Sequence, residues 1–179
     1  MHASCKDSVP VAEETKVGAP SSQQRACLDA DGQPTPLHKT LFDKVRHGEV
    51  NEVNRMITEM QIDVKNVVDE LKNFSQTLLF QACVIRDPSQ AFRMVQMLSA
   101  HGVDAKKEDT LKQTPLFYAA RQGNQDIVTF LCKEGGDQVN RQDKYGQTPI
   151  YYAVREGHIK IVQLLIEFGA EFDITDSKD

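Results

Sequence analysis

A chain of 179 residues with 40% hydrophobic and 26% charged residues has the composition of one soluble domain with a core, not that of a collagen, a coiled coil or a wholly disordered protein. Its formal charge of -5 and pI near 5.5 argue against a nucleic-acid binder, which needs a clustered surplus of Lys and Arg, and mildly favour a basic partner. No stretch approaches the roughly 18 to 20 apolar residues of a membrane span, and the first residues contain no apolar signal core, so the expected compartment is cytoplasmic or nuclear.

Residues 1–36 mix Pro10, Gly18, Pro20, Gly32, Pro34 and Pro36 with Ser, Gln and scattered charge. Too little apolar surface is present to offset the entropy of ordering, which predicts a disordered tail with at most one helical turn near Arg25 to Leu28. Thr35 precedes Pro36 as in a proline-directed phosphorylation site, though a bare Thr-Pro in a loose tail is more often a linker. The four cysteines, Cys5, Cys27, Cys83 and Cys132, form no CxxC pair and are read as reduced thiols, with no metal site expected.

From Leu37 onward the chain becomes pairs of short amphipathic segments. The first pair opens at Leu41 and continues with Val50, Val53, Met56, Ile57 and Met60 at helical spacing. A second opens at Gln76 and Thr77 and closes at Gly102, with extra residues around Asp87 and Pro88 between its helices. The next two nearly superimpose: residues 109–123 read DTLKQTPLFYAARQG and residues 143–157 read DKYGQTPIYYAVREG, a constant offset of 34. The match continues through Ile127 against Ile161, Leu131 against Leu165 and Gly135 against Gly169. Self-similarity at such a period marks stacked repeats.

These segments resemble the ankyrin repeat, a unit of about 33 residues with a T-P-L-H motif opening its first helix. The resemblance implies an all-α solenoid of helix-turn-helix units with β-turn fingers, here over residues 37–179 with repeats at about 37–72, 73–108, 109–142 and 143–175. Several positions depart from the family pattern. Leu78 stands for Pro, Ser75 for the hairpin Gly, and Gln138 is one residue too many before Asp143. That insertion also spoils the spacing that would make Asn140 an asparaginyl-hydroxylation position of the family. The motif His is replaced by Phe80, Phe117 and Tyr151, with Phe42 aligned in the first repeat, so aromatic packing between neighbours is expected instead of a Thr-His hydrogen bond.

The spacing has physical reasons. Thr114-Pro115 and Thr148-Pro149 are helix starts in which the Thr hydroxyl is expected to cap free N–H groups and Pro is pre-set for the first helical position. Ala119, Ala120 and Ala153 keep the inner helices slim, while Gly123 and Gly157 permit the left-handed turn that ends them. The last outer helix carries Ile159, Ile161, Val162, Leu164, Leu165, Ile166 and Phe168, too apolar for a terminal cap. The expectation is an amino-terminal piece of a longer repeat protein. The alternative is a short chain whose end is covered by self-association.

The resemblance also implies a protein-protein interaction module, an adaptor or scaffold that holds a partner protein on the concave row of inner helices and on the finger tips. The inner row places Asp43, Gln81, Tyr118 and Tyr152 in one column and Arg46, Val84, Arg121 and Arg155 in the next. Tyr118, Tyr152, Arg121 and Arg155 have hot-spot composition, and Lys112, Lys144 and Tyr145 extend the surface along the fingers. The competing reading makes these residues a solvated face with ordinary ion pairs. No phosphate-cradling loop, HExxH helix, GxSxG elbow or metal-spaced Cys/His cluster occurs, so neither catalysis nor a cofactor is expected. The five histidines are dispersed, and His158, next to Gly157, is read as structural. The second functional reading is a regulatory or substrate-recruiting arm of a larger enzyme or channel whose chemistry lies beyond Asp179.

Overall fold

The computed structural model describes residues 36–65, 67–69, 75–135 and 138–171. Of the tail assigned to residues 1–36, only Pro36 is among these residues, and it opens the first helix rather than closing the tail; Cys5, Cys27 and the end around Asp176 lie outside them.

The first helix, α1 (Pro36–Arg46), turns Leu41, Phe42 and Val45 inward and ends on Lys44 and Arg46, cations that suit a helix C-terminus. Gly48, at φ +74°, reverses the chain into α2 (Val50–Glu59), which buries Val53, Met56 and Ile57. Ile62, Val64 and Val67 carry the core through the following loop to a two-residue strand, β1 (Val68–Asp69), which pairs antiparallel with β2 (Gln76–Thr77). Ser75, where the family pattern has Gly, enters β2 in the left-handed region at φ +51°.

Three further helical pairs follow: α3 (Leu78–Cys83) with α4 (Pro88–Ala100), α5 (Pro115–Gln122) with α6 (Gln125–Glu134), and α7 (Pro149–Arg155) with α8 (Ile159–Glu167). Each short inner helix (α1, α3, α5, α7) packs on the next, and each outer helix (α2, α4, α6, α8) does the same, so the chain is an all-α repeat solenoid. The alanines permit this closeness: Ala82, Ala119, Ala120 and Ala153 are fully buried between inner helices. Phe80 and Phe117, in the place of the family His, are fully buried too. Each stabilises by about 1.5–3 kcal/mol through removal of its ring from water.

The inner helices begin differently from expectation. Thr77, Thr114 and Thr148 occupy the N-cap in extended conformation, but none of their hydroxyls makes a capping hydrogen bond. At Thr114 the reason is visible: Pro115 has no N–H to satisfy, and the Phe117 N–H already donates to the Thr114 carbonyl at 3.0 Å, which leaves the buried hydroxyl without a partner. Side-chain capping occurs instead on two of the outer helices, α4 and α6, where Asp87 accepts from the Gln90 N–H at 2.9 Å and Asn124 from the Ile127 N–H at 3.2 Å. The extra residues around Asp87 and Pro88 therefore build a helix start.

The inner helices end as the glycines predict. Gly123 closes α5 at φ +76° and Gly157 follows α7 at the same angle. His158 seals the Gly123 turn by bonding through Nε2 to the Arg121 carbonyl at 2.9 Å, which is the structural role its position suggests. A Cβ on Gly123 would meet the His158 ring at 2.7 Å. Asn140 clamps the last two repeats, its Nδ2 donating to the Gly169 carbonyl (3.0 Å) and its Oδ1 accepting from the Glu171 N–H (2.9 Å). The inserted Gln138 is fully buried within a short helical turn, its N–H bonded to the Gly135 carbonyl.

The final pair is two-sided. Ile161 and Leu165 of α8 are buried, whereas Ile159 (71% exposed), Ile166 (41%), Val154 (60%) and Tyr151 (41%) leave apolar surface open beside them. Among the described residues no helix is long and apolar enough to cross a membrane.

Candidate protein-binding face

The fingers between repeats are organised by two aspartates. Asp109 accepts through Oδ1 from the Leu111 and Gln113 N–H groups at 2.8 and 3.0 Å, and Asp143 accepts likewise from Tyr145 and Gln147 at the same distances. In both fingers the residue before the Gln lies in the left-handed region: Gly146 at φ +78° and Lys112 at φ +60°. Lysine there carries a strain of roughly 1–2 kcal/mol that glycine avoids. Adjacent fingers are joined by the Lys144 N–H donating to the Leu111 carbonyl at 2.9 Å.

The other carboxylate oxygen of each Asp binds the stack together. Asp143 Oδ2 accepts from the Tyr152 hydroxyl at 2.7 Å and from Nε2 of Gln113, in the preceding repeat, at 2.7 Å; Gln113 also donates to the Tyr152 hydroxyl at 2.9 Å. Asp109, Tyr118 and Gln76 repeat the arrangement one joint earlier, at 3.0, 3.3 and 2.6 Å. The network runs on from Gln76 to Gln81 (3.1 Å) and Arg46 (3.5 Å), so one polar ladder follows the inner helices. Burial first, and then Asp143, pushes the Tyr152 hydroxyl up to about 12, and Tyr118 is raised by burial and by Asp109 in the same way. Both phenols remain proton donors at neutral pH.

This geometry corrects the surface predicted for the inner row. Tyr152 is 4% exposed and Gln81 6%, while Tyr118 is half-buried. Their hydroxyl and amide groups join repeats, and their rings receive the buried phenylalanines edge-on: Phe80 on Tyr118 (centroids 5.2 Å, 85°) and Phe117 on Tyr152 (5.9 Å, 70°). Tyr152 is therefore committed to neighbour packing. Tyr151 departs from its pattern-mates in the opposite sense, being exposed and touching the ring of its own neighbour Tyr152. The roles of Gln76, Gln113, Asp109 and Asp143 escaped the sequence reading, although Gln and Asp recur at the repeat offset together with Tyr.

The remaining predicted residues lie outward. Lys112, Lys144 and Tyr145 are exposed on the fingers, and Arg155 is exposed and bonded to Glu156 at 2.8 Å. Arg121 is half-buried, with its guanidinium carbon 5.3 Å from the Tyr118 ring centre and 4.4 Å from that of Tyr152; Arg155 approaches the Tyr152 ring at 4.8 Å. The inner-helix face of the third and fourth repeats thus presents cations on an aromatic floor. Cys83 and Cys132 are buried, and burial pushes the Cys132 thiol up to about 11, so neither is a poised nucleophile.

A family model described as ankyrin repeats in three copies matches residues 41–137 and, overlapping, 79–176. No curated protein matches the chain.

Proposed function

Because the chain belongs to the ankyrin-repeat family, a non-catalytic fold whose repeats generally mediate protein-protein interaction, we propose that it is an adaptor that holds a partner protein on the concave face of its third and fourth repeats and on the adjoining finger tips, in the cytosol or nucleus. The observation that carries this reading is the division of labour along the inner row. Asp109, Asp143, Tyr118 and Tyr152 spend their polar groups on the joints, and Lys112, Lys144, Tyr145 and Arg121 keep theirs for something else. A rigid floor under exposed Tyr and cationic side chains lowers the ordering cost that a partner must meet.

The test is affinity capture with mass spectrometry, comparing the wild-type chain with a Lys112→Ala, Lys144→Ala, Tyr145→Ala variant whose fold is checked by circular dichroism. These three positions are exposed, so their truncation spares the joints. A partner held by the wild type and lost by the variant supports the reading, and identical partners on both would contradict it.

A further inference from the structure

We propose that Arg121 is the anion-recognising centre of this face and that its ligand is an acidic side chain, Asp or Glu, of a partner peptide. The inference rests on the interaction role proposed above and adds the chemistry of what is bound.

Three arginines mark the inner row, and two are already neutralised: Arg46 pairs with Asp43 at 3.2 Å and Arg155 with Glu156 at 2.8 Å. Arg121 has neither an ion pair nor a side-chain hydrogen bond among the described residues, and its buried Nε has no partner. The carboxylates of the two fingers and of Glu156 make their hydrogen bonds elsewhere. Asp109 and Asp143 are 6% and 5% exposed, with both oxygens committed to fingers, phenols and glutamines. Glu108 is held by Arg141 at 2.6 Å. Glu156 lies within the field of Arg121, but its hydrogen bonds go to Arg155, the main cause of its lowered pKa.

Arg121 is also pre-positioned. Two tyrosine rings flank its guanidinium, and both rings are fixed by their hydroxyls, so little rotamer freedom remains to be lost when an anion arrives. A planar guanidinium with free terminal amino groups matches a carboxylate through paired charge-assisted hydrogen bonds. Lys112 and Lys144, exposed on adjacent fingers that the Lys144 N–H joins through the Leu111 carbonyl, add positive potential at the finger tips of a chain that is acidic overall.

The experiment is selection of a randomised peptide display library on the full chain, followed by titration calorimetry of a selected peptide and its Glu→Gln or Asp→Asn counterpart. The expected result is an acidic residue at a fixed position of the selected peptides. Neutralising it, or Arg121→Met, weakens binding about tenfold, and the two changes together weaken it no further. Should Arg121→Met fail to fold, Lys112→Ala with Lys144→Ala serves in its place, and a loss of about threefold is expected from removing exposed charge near the site. Selected peptides without an acidic residue, or an acidic peptide indifferent to both Arg121→Met and its own neutralisation, overturn the inference and leave the interaction role standing. Failure to select any peptide also overturns it, and the capture experiment then decides the interaction role separately.

Discussion

The joint between the first and second repeats and the joint between the third and fourth are built from different materials. At the later joint a buried carboxylate, Asp143, collects hydrogen bonds from its own finger, from the Tyr152 phenol and from Gln113 across the interface, over the Phe117–Tyr152 ring pair. At the earlier joint the column residue is Gln81, which reaches Arg46 at 3.5 Å, and the aromatic contact of Phe42 is with His38 of its own helix at 4.8 Å. One fold therefore contains a joint locked by charge-assisted bonds and a joint held by apolar packing with a weak polar seam. In a solenoid, where stability is close to a sum of unit and neighbour terms, the locked end should open last. The proposed binding face lies over the locked joint, where a stiff floor lowers the ordering cost of binding.

The comparison is broken most severely at Phe117. Phe117→Ala should cost about 3–5 kcal/mol in urea denaturation, because the ring is fully buried. Tyr151→Ala, at the same position of the next motif but 41% exposed, should cost about 1 kcal/mol or less. Equal losses at the two sites would mean that the ring stack does not hold the joint.

Asp143→Ala should cost about 3 kcal/mol by leaving the Tyr152 hydroxyl, one Gln113 amide N–H and the Tyr145 and Gln147 N–H groups without their acceptor. Asp43→Ala, whose exposed ion pair with Arg46 is the nearest analogue, should cost under about 0.5 kcal/mol. Tyr152→Phe sharpens the contrast through pH. Burial raises this phenol from its ordinary 10.0 to about 12, so the folded state holds the proton more tightly than the unfolded chain does. Its contribution to stability is complete below pH 10, declines as the unfolded phenol ionises, and is lost as pH passes about 12. Stability measured from pH 9 to 12 should fall less steeply in Tyr152→Phe than in the wild type. The smallest expected effect is a gain: Lys112→Gly relieves the positive φ of the third-repeat finger and should stabilise by about 0.5 kcal/mol, net of the greater unfolded-state freedom of glycine.

Much of this was legible in the sequence. The offset from Asp109 to Asp143 carries the solenoid, because glycines and alanines at fixed spacing specify where helices end and how closely they approach. The same offset carried Gln113, Asp143 and Tyr152, but their meeting is a property of the neighbour interface and of side-chain direction, which repeat spacing alone leaves open. Tyr152 was consequently expected on the surface, since its column is open in an array whose members do not bond across repeats. Thr114 misled for a local reason: the hydroxyl is at the capping position, but the backbone supplies the bond itself.

The measurement that tests the central claim most directly is site-specific photocrosslinking, with a benzoylphenylalanine placed at Tyr145 on the fourth-repeat finger or at Lys160 on the opposite, outer helix α8. Both positions are exposed, so either is open to a partner. The account predicts that the captured partner crosslinks from Tyr145 and not from Lys160. A crosslink confined to Lys160 would place recognition on the outer helices and contradict it.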